Sequence, residues 1–315
     1  MPTPPLPVVL DCDTGIDDAL ALLYLVARPD LDLVAVGSVH GNVPSEVGAA
    51  NTLQVLDAVG ATHVPVALGA RRPLAQPLMT AEFVHGPDGL GGAAVAPDRP
   101  VSGESAVEQL CRLARSRPGE LTVLAVGPLT NLALALLAEP ELPTLVREVV
   151  VMGGAFGAPG NVGPQAEANI WHDPEAARLV FAAPWRVRAV GLDVTNRTLL
   201  GGEQLQRIAD SDRPGPRLAW AALQFYLDFY EARVGVRACS LHDPLAAMVV
   251  TRPDLVTWEQ LAVDVELRGE LTRGATIVDR RATADRDPAW PLVEVATTVD
   301  NQAAVKLFVD TVVGA

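Results

Sequence analysis

Four aspartates, Asp11, Asp13, Asp17 and Asp18, fall within eight positions of "VVLDCDTGIDDAL", residues 8 to 20, directly behind a run of valine and leucine. Ionised carboxylates are costly to bury singly, and neighbours of like sign raise one another's pKa. Such a cluster at the end of an apolar strand therefore calls for a cation or for a reaction that uses it. Asp11 and Asp13 stand two apart and leave the strand on one face, while Asp17 and Asp18 occupy the first turn of the helix expected to follow. Helix N-termini favour negative charge by roughly 0.3–1 kcal/mol each, and Gly15 suits the tight turn, so one or two of the four could serve as caps. A cap takes one carboxylate, and four exceed that use.

Three chemistries compete for the cluster. An EF-hand loop places Gly at its sixth position and Glu at its twelfth; counted from Asp11 these are Ile16 and Leu22, and a strand rather than a helix precedes them. An aspartate-based phosphohydrolase of the haloacid dehalogenase type also begins D-x-D behind an apolar strand. It relies on a later lysine, and the chain has one, Lys306, on the expected terminal helix. A hard cation, Ca²⁺ or Mg²⁺, held by carboxylate and carbonyl oxygens, fits without such a conflict.

The elements that must position these residues follow from periodicity. Short β-branched runs at 8–10, 33–39, 64–68, 121–126, 149–152 and 187–191 alternate with apolar-periodic stretches that predict helices starting near Ile16, Pro44, Ser102, Thr130, Pro174 and Glu203. That alternation predicts an α/β fold with a mostly parallel central sheet flanked by helices, whose ligands sit at the carboxyl ends of the strands. Beyond about residue 200 the pattern turns more helical, returns to strands near 262–267 and 292–296, and ends in a helix. It reads as a helical C-terminal extension. No linker or repeat divides the chain, so residues 1–315 are expected to form a single domain.

Composition narrows the partners. The 315 residues are 49% hydrophobic and 20% charged, ample for a large core, and 24 Lys+Arg against 38 Asp+Glu give a formal charge of −14. A chain so acidic is unsuited to nucleic acid. Cys12, Cys111 and Cys239 are odd in number and widely spaced, which suggests neither disulfides nor zinc and fits a reducing compartment. The start "MPTPPLP" lacks a signal-peptide pattern, and the apolar stretch 121–138 is broken by Gly127-Pro128, so a cytoplasmic protein with no membrane span is expected.

"DCDTGIDDA" resembles the signature of the nucleoside hydrolases, the inosine-uridine preferring N-ribohydrolase family. Five further blocks resemble that family's in order and approximate spacing: "HGN" at 40–42, "VGPLTNLA" at 126–133, "VMGGAF" at 151–156, "GNVGPQAEANIWHDPEAA" at 160–177 and "LHDPLAA" at 241–247. The resemblance implies a nucleoside hydrolase domain that cleaves the N-glycosidic bond of ribonucleosides to base and ribose, with Ca²⁺ at the base of its pocket. It implies Asp13, Asp18, Asp243 and the carbonyl of Val126 as metal ligands, and Asp13 as general base for the attacking water. Asp17, Asn42, Met152, Asn161, Glu167, Asn169 and Asp243 match substrate-binding positions, His85 a flap residue, and His242 the acid that protonates the leaving base. Acids and amides answer the donors and acceptors of ribose, and negative charge beneath the ring suits an oxocarbenium-like transition state. The resemblance alone implies a homodimer or homotetramer. A non-catalytic ribose- or metal-binding module is the rival reading.

Three features stay open on the residues alone. His-Asp-Pro occurs twice, at 172–174 and 242–244, and in both the aspartate fits an N-cap followed by proline. Tyr226 and Tyr230 lie four apart in an aromatic stripe that reads more readily as core than as site. Thr14 stands where the family has proline, and Ala168 where many relatives carry an aromatic, which leaves the base preference undecided.

Overall fold

A computed structural model describes residues 4–281, 285, 287 and 289–314; the two ends of the expected 1–315 span lie outside them. The strands are β1 (Leu6–Cys12), β2 (Leu31–Ser38), β3 (Val66–Leu68), β4 (Thr122–Ala125), β5 (Glu148–Met152), β6 (Val187–Val190), β7 (Leu199–Gly201), β8 (Ala238–Ser240), β9 (Val256–Val265), β10 (Thr276–Asp279) and β11 (Leu292–Val299). The helices are α1 (Ile16–Ala27), α2 (Ser45–Ala58), α3 (Glu82–His85), α4 (Ala106–Ser116), α5 (Thr130–Ala138), α6 (Leu142–Leu145), α7 (Ala168–His172), α8 (Pro174–Ala182), α9 (Leu192–Thr195), α10 (Gly202–Ala209), α11 (Pro214–Val234), α12 (His242–Met248) and α13 (Asn301–Gly314). Among the described residues, no helix is long and apolar enough to cross a membrane.

Nine of these strands form one sheet in the order β10-β9-β11-β6-β5-β4-β1-β2-β3. Pairing is parallel from β3 through β11, and antiparallel only where β9 meets β11 and β10. The expected C-terminal extension is therefore helical only in part, because β9, β10 and β11 lengthen the same sheet before α13 closes the chain. Alternation in "VTWEQLAVDV" supplies the half-buried strand that this edge demands.

The sheet is covered on both faces. Val8, Leu10, Leu124, Val126 and Val150 pack into one core layer, while Val9, Val123, Ala125, Val149 and Val151 pack into the other. This period of two through continuous apolar strands is why the runs lack polar residues. β1 pairs with β2 on one side and β4 on the other, so successive connections leave it in opposite directions. Loops splay apart at such a switch point, and the crevice opens there, at the carboxyl ends of β1 and β4.

Helix α1 is buried from Ile16 to Leu25 and packs against α12, more than 200 residues away in sequence. Ala246 and Ala247 on α12 are fully buried in the same layer as Ala19 and Leu22, and their small side chains let the two helices approach closely. At the far end of the chain, α13 carries the exposed Lys306, paired with Asp310 one turn on.

Candidate active site

The loop after β1 is shaped by its own carboxylates. Asp18 accepts the backbone N–H of Gly15 at 2.9 Å and that of Asp13 at 3.2 Å, so it caps α1 and folds the loop back on itself. Asp13 is anchored through one oxygen, Oδ2, which accepts the Asn42 N–H at 2.6 Å. Its approach requires Gly41, where an added Cβ would stand 2.0 Å from that oxygen. The Asn42 side chain donates to Asp18 Oδ2 at 3.1 Å, so this asparagine braces the acidic loop as well as lining the cavity. The threonine in the usual proline position bonds through its hydroxyl to Thr52 at 2.6 Å, which holds the turn without the ring.

All four aspartates are buried, with Asp13 and Asp18 wholly sealed. Asp13 Oδ1 and Asp17 Oδ1 have no hydrogen-bond partner among the described residues. Burial, followed by the charge of Asp18, drives the Asp13 carboxyl well above the ordinary carboxylate range and pushes Asp17 up to about 8. Asp243 is raised well up by burial and then by Asp17, Asp18, Asp13 and Glu167. Oxygens of Asp17, Asp18 and Asp243 lie within 4.8 Å of one another. Unpartnered, closely spaced carboxylate oxygens are a donor set fitted to a hard divalent cation, which would remove the repulsion that raises them. That trio includes Asp17, a residue matched in sequence to a sugar contact, and leaves out Asp13, whose Oδ2 is taken by the Asn42 N–H.

The two His-Asp-Pro copies separate in three dimensions. Asp173 is the N-cap of α8, accepting Ala176 N–H at 3.1 Å, and also takes the Thr130 hydroxyl and Leu74 N–H. Helix α12 instead begins at His242, so Asp243 falls inside the first turn, makes no cap and faces the acidic loop. Packing of α12 on α1 makes the difference, which no local pattern carries.

Above the acidic floor lies a cavity of about 350 Å³. Asp17, Asn42, His85, Val126, Met152, Asn161, Glu167, Asn169, His242 and Asp243 line it, whereas Asp13 and Asp18 lie beneath. Glu167 caps α7 through the N–H groups of Asn169 and Ile170 and holds Gly154 N–H at 2.9 Å. Asn169 donates to the carbonyls of Val126 at 2.8 Å and Met152 at 3.1 Å, joining the ends of β4 and β5. Asn161 accepts Ala168 N–H at 2.9 Å.

Two histidines close the other side. His85 Nδ1 accepts the Ile16 N–H at 3.1 Å, and burial holds the ring down to about 3. It is therefore neutral with its proton on Nε2, and the 3.8 Å approach to Asp17 is not an ion pair. His242 is held down to about 4 by burial; its Nδ1 meets Thr195 at 2.8 Å and its Nε2 meets the Tyr230 hydroxyl at 2.9 Å. Tyr226 stacks on His85, with ring centroids 5.5 Å apart, and its hydroxyl makes a long 3.5 Å contact to Asp17. Both tyrosines line the cavity, so the stripe that reads as core serves the site as well. Trp171, Phe83 and Phe229 also line it, supplying aromatic walls where Ala168 has none. The i,i+4 spacing of Tyr226 and Tyr230 signals one helix face; what that face meets, His85 of α3 and His242 of α12, is set by the tertiary fold.

Residues 8–306 match the family described as inosine-uridine preferring nucleoside hydrolase. Among curated proteins, the chain is 36% identical over 311 residues to "Probable uridine nucleosidase 2" of Arabidopsis thaliana, covering 96% of each chain. It is 38% identical over 280 residues to "Inosine-uridine preferring nucleoside hydrolase" of Crithidia fasciculata, covering 88% of this chain and 89% of that one. Among solved structures, "Plant nucleoside hydrolase - PpNRh1 enzyme" superposes with a TM-score of 0.95 at 34% identity over 99% of this chain and all of that one.

Proposed function

The chain belongs to the inosine-uridine preferring nucleoside hydrolase family and is a ribonucleoside hydrolase, and from that premise we propose a calcium-dependent enzyme that accepts uridine and inosine. The observation that carries the reading is the buried set of unpartnered carboxylate oxygens beneath a cavity walled by amides, histidines and tyrosines. Asp13, Asp18, Asp243 and the Val126 carbonyl would hold the ion, with Asp17 beside them; the carbonyl's second lone pair remains for a cation while the first takes Asn169. Bound there, calcium would neutralise the cluster and polarise both the attacking water and the ribose hydroxyls.

The chain's own groups account for the rest. Asp13, pinned through Oδ2, has Oδ1 to accept the proton of the attacking water. Asn42, Asn161, Glu167 and Asn169 orient the ribose, each held by backbone bonds, so little reorganisation accompanies reaction. As the bond to the base breaks, positive charge grows on the sugar, and the carboxylates below favour it over the neutral ground state. His242, held neutral with the Tyr230 hydroxyl on one ring nitrogen and the Thr195 hydroxyl on the other, would relay a proton to the departing base, taking one up at one nitrogen as it gives one up at the other. A cytoplasmic homodimer or homotetramer completes the reading; its supports are the family resemblance and three buried free cysteines.

Assay of reducing sugar released from uridine and inosine, before and after chelation, tests it. Ribose from at least one nucleoside, lost on chelation and restored by calcium, is the expected result. No sugar from any nucleoside would leave a binding module in its place.

A further inference from the structure

The acidic loop and the glycine-rich segment AEFVHGPDGLGG at 81–92, which carries His85, both border the cavity and have to be kept in register. Asn51, a buried residue of α2, has one side-chain amide nitrogen and two carbonyls to satisfy with it. Nδ2 donates to Thr14 O of the acidic loop at 3.0 Å and to Asp88 O of the glycine-rich loop at 2.9 Å. Each hydrogen of the NH₂ group thus goes to a different loop.

Each loop is organised to receive that contact. On one side, Gly48, Asn51 and Thr52 share a face of α2. A Cβ at Gly48 would stand 3.3 Å from the Asp13 and Thr14 backbone, and Thr52 bonds the Thr14 hydroxyl, so the face is a saddle for the acidic loop. On the other, the Asp88 carboxylate gathers the N–H groups of Leu90, Gly92 and Ala94, which makes residues 88–94 one internally bonded unit. Gly89, at φ +80°, brings that unit so near that an added Cβ would lie 2.7 Å from Asn51 Nδ2. His85, whose carbonyl accepts the Gly91 N–H of that unit at 2.8 Å, ties the segment to the acidic loop once more by accepting the Ile16 N–H at 3.1 Å. Two ties, three residues apart in the glycine-rich segment, span Thr14 to Ile16.

We propose that Asn51 is a positioning residue that locks the glycine-rich loop to the acidic loop, so that ordering of one by a cation orders the other over the nucleoside. The cation part rests on the proposed calcium reading; the tie between the loops does not. Asn51 touches no reacting atom. Its replacement leaves two carbonyls without their donor in a buried place, which local opening of the loop relieves.

Backbone hydrogen exchange on the full chain, with calcium chloride added or removed by chelation, tests this on Asn51→Leu, which keeps the shape without the donors. Exchange at residues 85–92 should quicken about tenfold while β4 and β5 keep their rates. Added calcium should slow 85–92 in the parent chain and much less in the variant. With uridine, KM should rise about tenfold and kcat change little, the sign of a site assembled less often. Asn51→Ser, too short to reach both carbonyls, should repeat the pattern and serves if the leucine variant does not fold. Unchanged exchange at 85–92 in a variant, or an increase spread evenly over the sheet, overturns the tie. A tie seen in the variants with no calcium effect in the parent chain overturns only the cation coupling, whereas ribose release that survives chelation is what overturns the calcium reading.

Discussion

If calcium is the ion, its affinity should depend steeply on pH, because the carboxylates proposed to hold it would first have to release their protons. Asp17 shows the size of the effect, since burial and the charge of Asp18 push it from 3.8 up to about 8. A raised value in the folded state means that the folded, ion-free protein binds this proton more tightly than the unfolded chain. Its contribution to stability is therefore full below about pH 4 and is lost as the pH climbs toward 8. Calcium binds the deprotonated form, so below 8 it must displace the proton at about 1.36 kcal/mol per pH unit. At about pH 6 that is roughly 2.7 kcal/mol against the fully deprotonated form, and, since half the groups still carry the proton at pH 8, about fiftyfold in Kd relative to pH 8. Asp13, Asp18 and Asp243 are raised mainly by burial and act in the same direction, steepening the dependence. His85 and His242, held at about 3 and about 4, stay neutral across this window and contribute nothing to it. Isothermal titration of chelator-stripped protein at about pH 6 and pH 8, in two buffers of different ionisation enthalpy, measures both the affinity and the protons released. At least one proton per ion is expected at the lower pH. Equal affinities with no proton release would refute the argument that these buried carboxylates hold the ion.

Asp13→Ala should lower kcat for uridine by about a thousandfold and weaken calcium binding, with far-UV circular dichroism unchanged; a turnover within tenfold of the parent removes the general-base role. His242→Ala should slow purine nucleosides far more than a ribonucleoside analogue whose leaving group departs without a proton, and equal losses on both would take the acid role from His242. Away from the site, Arg188→Met breaks the buried pair with Glu148, whose carboxylate is 2.8 Å from the guanidinium. Urea unfolding should read a loss of about 3–5 kcal/mol, and a loss under 1 would show the pair to be dispensable.

The alternation of strands and helices was legible because each parallel strand is a short apolar run, and β1 through β6 lie within a few residues of their expected spans. The C-terminal third was harder. There, the strands expected near 262–267 and 292–296 correspond to β9 and β11, which begin earlier or run longer than expected, while β10 is four residues at the antiparallel edge, too short a run to read from the sequence. At the site, nearly every residue matched by resemblance reaches the cavity, since spacing along the chain and strand order together deliver β1, β4 and β5 to one edge. What spacing could not give is orientation across elements. Glu167 and Asn169 bond backbone as firmly as they face the cavity, Asp17 lies closer to Asp18 and Asp243 than to a purely sugar-facing place, and only one His-Asp-Pro aspartate is a cap. Tyr226 and Tyr230 were discounted for the same reason: a stripe declares that a helix has a face, and the partner of that face is a tertiary fact.

One remote feature has practical weight. Lys306 is the chain's only lysine, and it stands exposed on α13, which contributes nothing to the cavity wall. Amine-directed coupling therefore has a single side-chain address. A surface, dye or polymer joined there would leave the mouth unobstructed, with the α-amino group as the competing amine that Lys306→Arg would isolate.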